Sequence, residues 1–208
     1  MEWIGAVRYW VAVALYSSLP AGILYWYLIH PLTAFWRRLG PKRTFWLVGL
    51  VFAAVVLLFA SQHQRVLATS YPFNWPLAAA GLVLYAVAVA LGRACRRHLK
   101  FAVLAGAPQI GDDPGRLLTE GIYSRVRNPR YLSLIFGVTG FTLILNYPAL
   151  YVALVLFVPA IYGVILLEER ELRDRFGTEY EEYVRRVPRL VPKRGRKAGE
   201  APTESLLD

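Results

Sequence analysis

The sequence predicts an all-α integral membrane protein of about five transmembrane helices, followed by a cytoplasmic amphipathic helix. Two observations carry that prediction. The chain of 208 residues is 56% hydrophobic, too apolar for a soluble domain and far too apolar for a disordered one. Its charges are also segregated: every Lys, Arg, Asp and Glu falls in residues 1–8, 31–44, 61–75, 92–130 or 168–208. A soluble helix keeps a charged face, whereas the helices between these segments have none and so suit lipid.

The apolar runs are Tyr9–Ile29, Phe45–Ala60, Pro76–Leu91, Tyr131–Tyr147 and Ala149–Leu167. A bilayer core needs about 20 helical residues, with a range of roughly 17–25. The first and last runs meet this directly; neutral flanks such as Ser61, Gln62 and Trp75 extend the second and third. Only Asn146, Tyr147 and Pro148 separate the last two runs. That spacing predicts a tight transmembrane hairpin, since proline is tolerated at a helix start and poorly inside one.

Segments 31–44, 92–130 and the C-terminal tail are basic, while 61–75 and 146–148 are nearly free of charge. They alternate as five spans require, which predicts the N-terminus outside and the C-terminus in the cytoplasm. Trp10, Trp26, Trp36, Trp46 and Trp75 stand at or near run ends, as an aromatic belt would. The first run is too long for a signal-peptide core. The chain thus reads as a multi-pass membrane protein, of the cytoplasmic membrane in a bacterial host. One membrane-embedded domain over 1–195 and a disordered tail over 196–208 are expected. No nucleic-acid partner is expected, and nothing in the sequence sets an oligomeric state.

Cys95 has no second cysteine to pair with and reads as a small buried or interfacial residue. His30, His63 and His98 lie in three separate segments, so no metal site is expected.

Two segments concentrate the polar chemistry. The first, GIYSRVRNPRYLSLIFGV from Gly121 to Val138, sets Arg125, Arg127 and Arg130 at the mouth of an apolar helix. Gly121 permits a turn, Pro129 suits a first helical turn, and Asn128 is a candidate N-cap. A helix start with lipid-anchoring arginines would explain much of this. The same helix N-terminus attracts anions, and arginine grips a carboxylate bidentately. The second segment, Leu166 to Gly195, repeats Leu172, Phe176, Tyr180, Tyr183, Val184 and Val187 at steps of three and four. That is an amphipathic helix with a potential break at Gly177. Glu168 and Glu169 directly follow Ile165, Leu166 and Leu167, and carboxylates at a membrane boundary are costly without a partner. One segment therefore favours an anion and the other a cation, with Tyr123 and Tyr131 offering aromatic faces. S-adenosylmethionine has suitable charges; so does an amino acid or a zwitterionic lipid headgroup.

These segments together resemble the isoprenylcysteine carboxyl methyltransferase family, related to the phospholipid N-methyltransferases. The resemblance rests on Gly121, Tyr123, Arg127, Pro129 and Tyr131, then the hairpin, then Glu168 or Glu169, Leu172, Phe176, Gly177, Tyr180, Tyr183 and Pro188. It covers roughly the C-terminal 80 residues. It implies an integral-membrane enzyme that moves the methyl group of S-adenosylmethionine to a lipophilic or amphiphilic acceptor: a carboxylate, amine or thiol. Carried over by position, Gly121, Tyr123, Asn128, Tyr131, Glu168 and Glu169 would bind the cofactor. Arg127 and the two glutamates would be catalytic, with Arg127 or a neighbouring arginine holding an anionic acceptor or the cofactor carboxylate. The stretch APQIGDDPG would close over the cofactor. The family's usual His is Asn128 here, which donates a hydrogen bond but is no base near neutral pH. Two alternatives are a nicotinamide-dependent reductase of the sterol-reductase type and a non-catalytic membrane protein that retains the fold. The Glu pair and the absence of a Cys-rich later motif speak against the reductase.

Overall fold

The computed structural model describes residues 2–97 and 117–192. The expected loop closure by APQIGDDPG and the disordered tail lie outside the described residues. Among the described residues there are eight α-helices, one short 3-10 turn and no strand. In chain order the helices are α1 (Glu2–Ile29), α2 (Thr33–Leu39), α3 (Pro41–Ser61), α4 (His63–Val66), α5 (Trp75–Arg96), α6 (Pro129–Leu145), α7 (Pro148–Phe176) and α8 (Thr178–Arg186). The 3-10 turn covers Gly121–Ser124.

The helix starts follow local chemistry. Pro41, Pro129 and Pro148 occupy the first positions of α3, α6 and α7, where their missing N–H costs nothing. Asn74 caps α5 by accepting from Leu77 N at 3.0 Å. The predicted hairpin is present: Asn146 takes the left-handed conformation (φ 54°), donates to Thr142 O at 2.9 Å and ends α6 two residues before α7 begins. Gly177, also left-handed (φ 52°), ends α7 and provides the expected break before α8.

Four helices, α1, α3, α5 and α7, are long and apolar enough to cross a membrane; α6, the fourth expected span, is an apolar helix of 17 residues. Trp46, Leu57, Val155 and Leu156 point outward and exposed. Lipid matches such a surface, whereas water would not. The chain is an integral membrane protein. Trp36 departs from the belt expectation: it is buried against Ile29 and Val48, with its indole N–H on Leu28 O at 2.8 Å.

Helices α5 and α6 pack most intimately, in antiparallel fashion. A Cβ on Gly81 would stand 2.6 Å from Gly140 O, and one on Gly140 would stand 2.7 Å from Gly81 O. Small residues let two membrane helices approach closely where hydrophobic force between them is absent. Ser133 Oγ adds a bond to Ala88 O at 2.8 Å. Helix α1 packs on α3 and α7.

The bundle has two polar ends. At one, Arg8 donates to Leu145 O (2.5 Å), Tyr71 O (2.5 Å) and Asn146 O (3.3 Å), covering the carbonyls left open at the end of α6. Asn146 Nδ2 also donates to Pro72 O at 2.9 Å. At the other end the α6 N-terminus meets the continuation of α7, α8 and the chain after it. Helix α7 runs nine residues past Leu167, so Glu168 and Glu169 are helical residues rather than the start of a separate segment.

Candidate functional site

The site is built on the paired carboxylates of α7, which point into different surroundings. Glu169 is completely buried. A carboxylate there requires donors, and three side chains supply them. Arg127 donates from Nη2 (3.1 Å) and Nε (3.3 Å) to Oε1. Asn128 Nδ2 donates to the same oxygen at 2.9 Å. Arg189 reaches Oε1 and Oε2 from Nε, each at 3.1 Å, and Oε2 from Nη2 at 2.8 Å. Arg127 spends its remaining Nη1 on Val187 O (2.6 Å) and Val184 O (3.2 Å). Its backbone N–H donates to Pro188 O at 2.9 Å, and that of Asn128 to Arg189 O at 3.1 Å. The segment before α6 and the strap after α8 are thus stitched together over one buried charge. Arg189 Nη1 also donates to Tyr162 OH at 2.5 Å. The bond to Glu169 is the main reason Arg189 holds its proton more tightly than usual.

Glu168 is the more open of the pair, its side chain 22% exposed. Tyr131 OH donates to it, and Arg130 Nη2 bonds both Glu168 Oε2 (3.1 Å) and Tyr131 OH (2.6 Å). The Arg130 guanidinium lies 4.6 Å from the ring centres of both Trp26 and Tyr131. Beneath the 3-10 turn, Tyr123 is buried, its carbonyl accepting from Tyr183 OH at 2.7 Å. Its own hydroxyl has no hydrogen-bond partner among the described residues. Burial, helped by the neighbouring Cys95, pushes this phenol far above its ordinary range, so it stays protonated. Burial likewise pushes Tyr180 up to about 12. Cys95 itself is buried, as its sequence context suggested.

The structure therefore brings Tyr123, Arg127, Asn128, Tyr131, Glu168 and Glu169 to one end of the bundle, and sets Gly121 apart. Gly121 is exposed and left-handed (φ 60°), opening the turn that seats Tyr123. Two readings change. Asn128 stands at the N-cap of α6 but makes no side-chain capping bond; its amide serves Glu169 instead. Arg127 and Glu169, each expected to face a ligand, bond each other. Two participants were not singled out from sequence: Arg189 is one of many basic residues in its region, and Trp26 looked like an interfacial tryptophan. Arg130, named beside Arg127 at the mouth of the helix, joins them. No group of three metal-ligating side chains occurs among the described residues.

Fold and site together define a polytopic helical membrane protein with a buried charge network at one end. Residues 77–179 match the family model described as phospholipid methyltransferase. The chain is 35% identical over 78 residues to Protein-S-isoprenylcysteine O-methyltransferase B of Arabidopsis thaliana, covering 37% of this chain and 40% of that protein. It is 34% identical over 82 residues to the probable protein-S-isoprenylcysteine O-methyltransferases of Oryza sativa subsp. indica and subsp. japonica, covering 39% of this chain and 43% of theirs. The matches span about two-fifths of those relatives' length. No solved structure matches the chain. The segment 77–179 is just under half of the chain, and its similarity to this family agrees with the resemblance its motifs carry.

Proposed function

We propose that this protein transfers a methyl group from S-adenosylmethionine to a lipophilic or amphiphilic acceptor at the basic face of the membrane. The observation that carries the reading is the donor set left around Glu168. A partly open carboxylate, the Arg130 guanidinium and the unpartnered Tyr123 hydroxyl meet within the family-matched segment. That set fits a ligand with an ammonium, a carboxylate and hydroxyls. Glu168 would hold the ammonium or ribose hydroxyls, Arg130 the carboxylate, and Tyr123 a further acceptor atom. Tyr131 keeps Glu168 aimed. Glu169, with Arg127, Asn128 and Arg189, would hold the pocket wall rather than the ligand.

When bound, the cofactor supplies an electrophilic methyl group. The chain's own task is then to align donor and acceptor and keep water out, which suits a site closed by an arginine-stitched strap. The names of the plant relatives favour a carboxylate acceptor, and the family model a phospholipid one. The sterol-type reductase finds no support among the relatives.

Calorimetry on the full chain in nanodiscs tests this reading, with NADPH as comparator. S-adenosylmethionine should bind and NADPH should not. Glu168→Gln should weaken binding at least about tenfold, the worth of one charge-assisted contact. Binding of NADPH alone would sink the proposal.

A further inference from the structure

A second polar constellation lies beside this site. His30 follows the end of α1, and its side chain is only 1% exposed. His30 Nδ1 stands 2.8 Å from Glu171 Oε2 on α7. With Glu171 ionised, the bond requires a proton on Nδ1, and in the neutral imidazole Nε2 then keeps its lone pair. That Nε2 is buried and has no partner, and Glu171 Oε1 also makes no hydrogen bond. Arg175 Nη1, at 3.7 Å from Oε1, adds a positive charge without that bond. An imidazole oriented by a carboxylate, with an idle lone pair, is the arrangement of a general base.

Its place links it to the site. His30 stacks on Trp26 (ring centres 5.4 Å apart, planes at 25°), the ring that also carries Arg130. Glu171 comes three residues after Glu168, on the same side of α7. His30 lies outside the segment matching the family model.

We propose that His30, oriented by Glu171, takes the proton from the methyl acceptor, and that the acceptor therefore carries that proton at neutral pH. This rests on the methyl-transfer reading above. In the step, the acceptor's heteroatom–hydrogen bond breaks and its proton goes to His30 Nε2. The heteroatom bonds to the methyl carbon, and the bond from that carbon to the donor's sulfonium sulfur breaks, its electron pair staying on sulfur. The imidazolium formed is stabilised by Glu171 and then loses its proton to water. The acceptor class is a phenol, thiol or protonated amine on a lipophilic body, since a carboxylate is already ionised and needs no base.

The charged groups facing His30 are Glu171 and Arg175 on α7, with Arg130 of α6 across Trp26. The test begins without turnover. Nitrogen-15 NMR of the histidine-labelled chain in nanodiscs, assigned with His63→Gln and His98→Gln, should show His30 protonated on Nδ1 and bare on Nε2. The opposite tautomer overturns the proposal. His30→Gln still reaches Glu171 with an amide N–H but accepts no proton, so thermal stability and S-adenosylmethionine affinity should hold. Methyl transfer is then measured on lipophilic alkylphenols of graded acidity, beside a long-chain carboxylate. His30→Gln should slow the least acidic phenol by roughly 100-fold or more and leave the already ionised acceptors nearly unchanged. Equal slowing of all acceptors, or a wild type that methylates only the carboxylate, overturns it. Loss of cofactor binding in the wild type would instead count against the methyl-transfer reading.

Discussion

Asn128 shows how one side chain decides the character of the site. Its amide N–H₂ is a neutral donor 2.9 Å from a carboxylate with no solvent access. Asn128→Asp would replace that donor by a second carboxylate, and like charges at that distance cannot both remain ionised. We expect a loss of about 3 kcal/mol, the scale for breaking a buried charge network, read as a lowered thermal midpoint in nanodiscs. An unchanged midpoint would mean that the Asn128–Glu169 bond is not made. Glu169→Gln should destabilise the chain by a comparable amount, about 3 kcal/mol, because it strands two guanidinium groups. Glu168→Gln, with its partner already partly hydrated, should cost less than about 1 kcal/mol of stability while weakening cofactor binding. The contrast between neighbouring glutamates is the sharpest check on their assignment. Sequence placed both at one membrane depth but could not separate them, because adjacent residues on a helix face directions about 100° apart and only the fold says what lies in each.

At the scale of elements, the crossing of α5 and α6 is the tightest contact. Gly140→Ala would press its methyl group onto the Gly81 carbonyl at 2.7 Å, and backbone does not give way as a side chain would. A loss of about 1–3 kcal/mol is expected, the range for overpacking, and thermal aggregation in detergent would show it. Gly137→Ala meets only the Ala88 methyl at 3.7 Å and should be tolerated. Helix α8 makes a different prediction. Tyr180 and Tyr183 are buried, and burial pushes Tyr180 up to about 12 and Tyr183 higher still. Below about pH 10, folded and unfolded tyrosines are both protonated and the shift has no effect. Above it the unfolded chain loses protons that the folded chain keeps, so stability falls as pH rises from 10 towards 12. Phenylalanine at both positions should flatten that fall. The helices themselves were legible because charge-free runs and proline starts are local signals. The amphipathic repeat up to Gly177 marked 168–176 as helical too; that these residues continue α7 without a break was not legible, because the change from apolar to charged at Glu168 reads as a boundary.

For the molecule as a whole, charge asymmetry sets the expected orientation. Arg37 and Arg38 of α2 and Lys42 and Arg43 in the first turn of α3 lie at the end that carries the site; the region 61–75 at the other end carries only Arg65. The basic end should face the cytoplasm. With Cys95 replaced by serine, single cysteines at Ser70 and Arg38 should react with a membrane-impermeant maleimide from opposite sides, Ser70 from outside. Labelling of both from one side would overturn the expected orientation, in which α3 crosses the membrane between them. The site was partly readable for the same reason at every scale. Tyr123, Arg127, Asn128, Tyr131 and the glutamates form two short motifs, and motifs survive in a linear string. Trp26 and His30 reach the site from more than a hundred residues away, and an aromatic or a lone histidine at a helix end gives no sign of its distant partner.

The clasp of Arg8 on the end of α6 has a consequence for how the chain is made. Its carbonyl partners Leu145 and Asn146 are synthesised 137 and 138 residues later. While the ribosome is still working through the earlier helices, Tyr71 O is the one of its three carbonyl partners already made, and the rest of the guanidinium is left to water or lipid headgroups. That end of the bundle is fastened by the first helix but not until the fourth long apolar stretch has emerged. The nascent protein therefore stays open along one seam for most of its synthesis and is sealed late, by a latch it carried from the beginning.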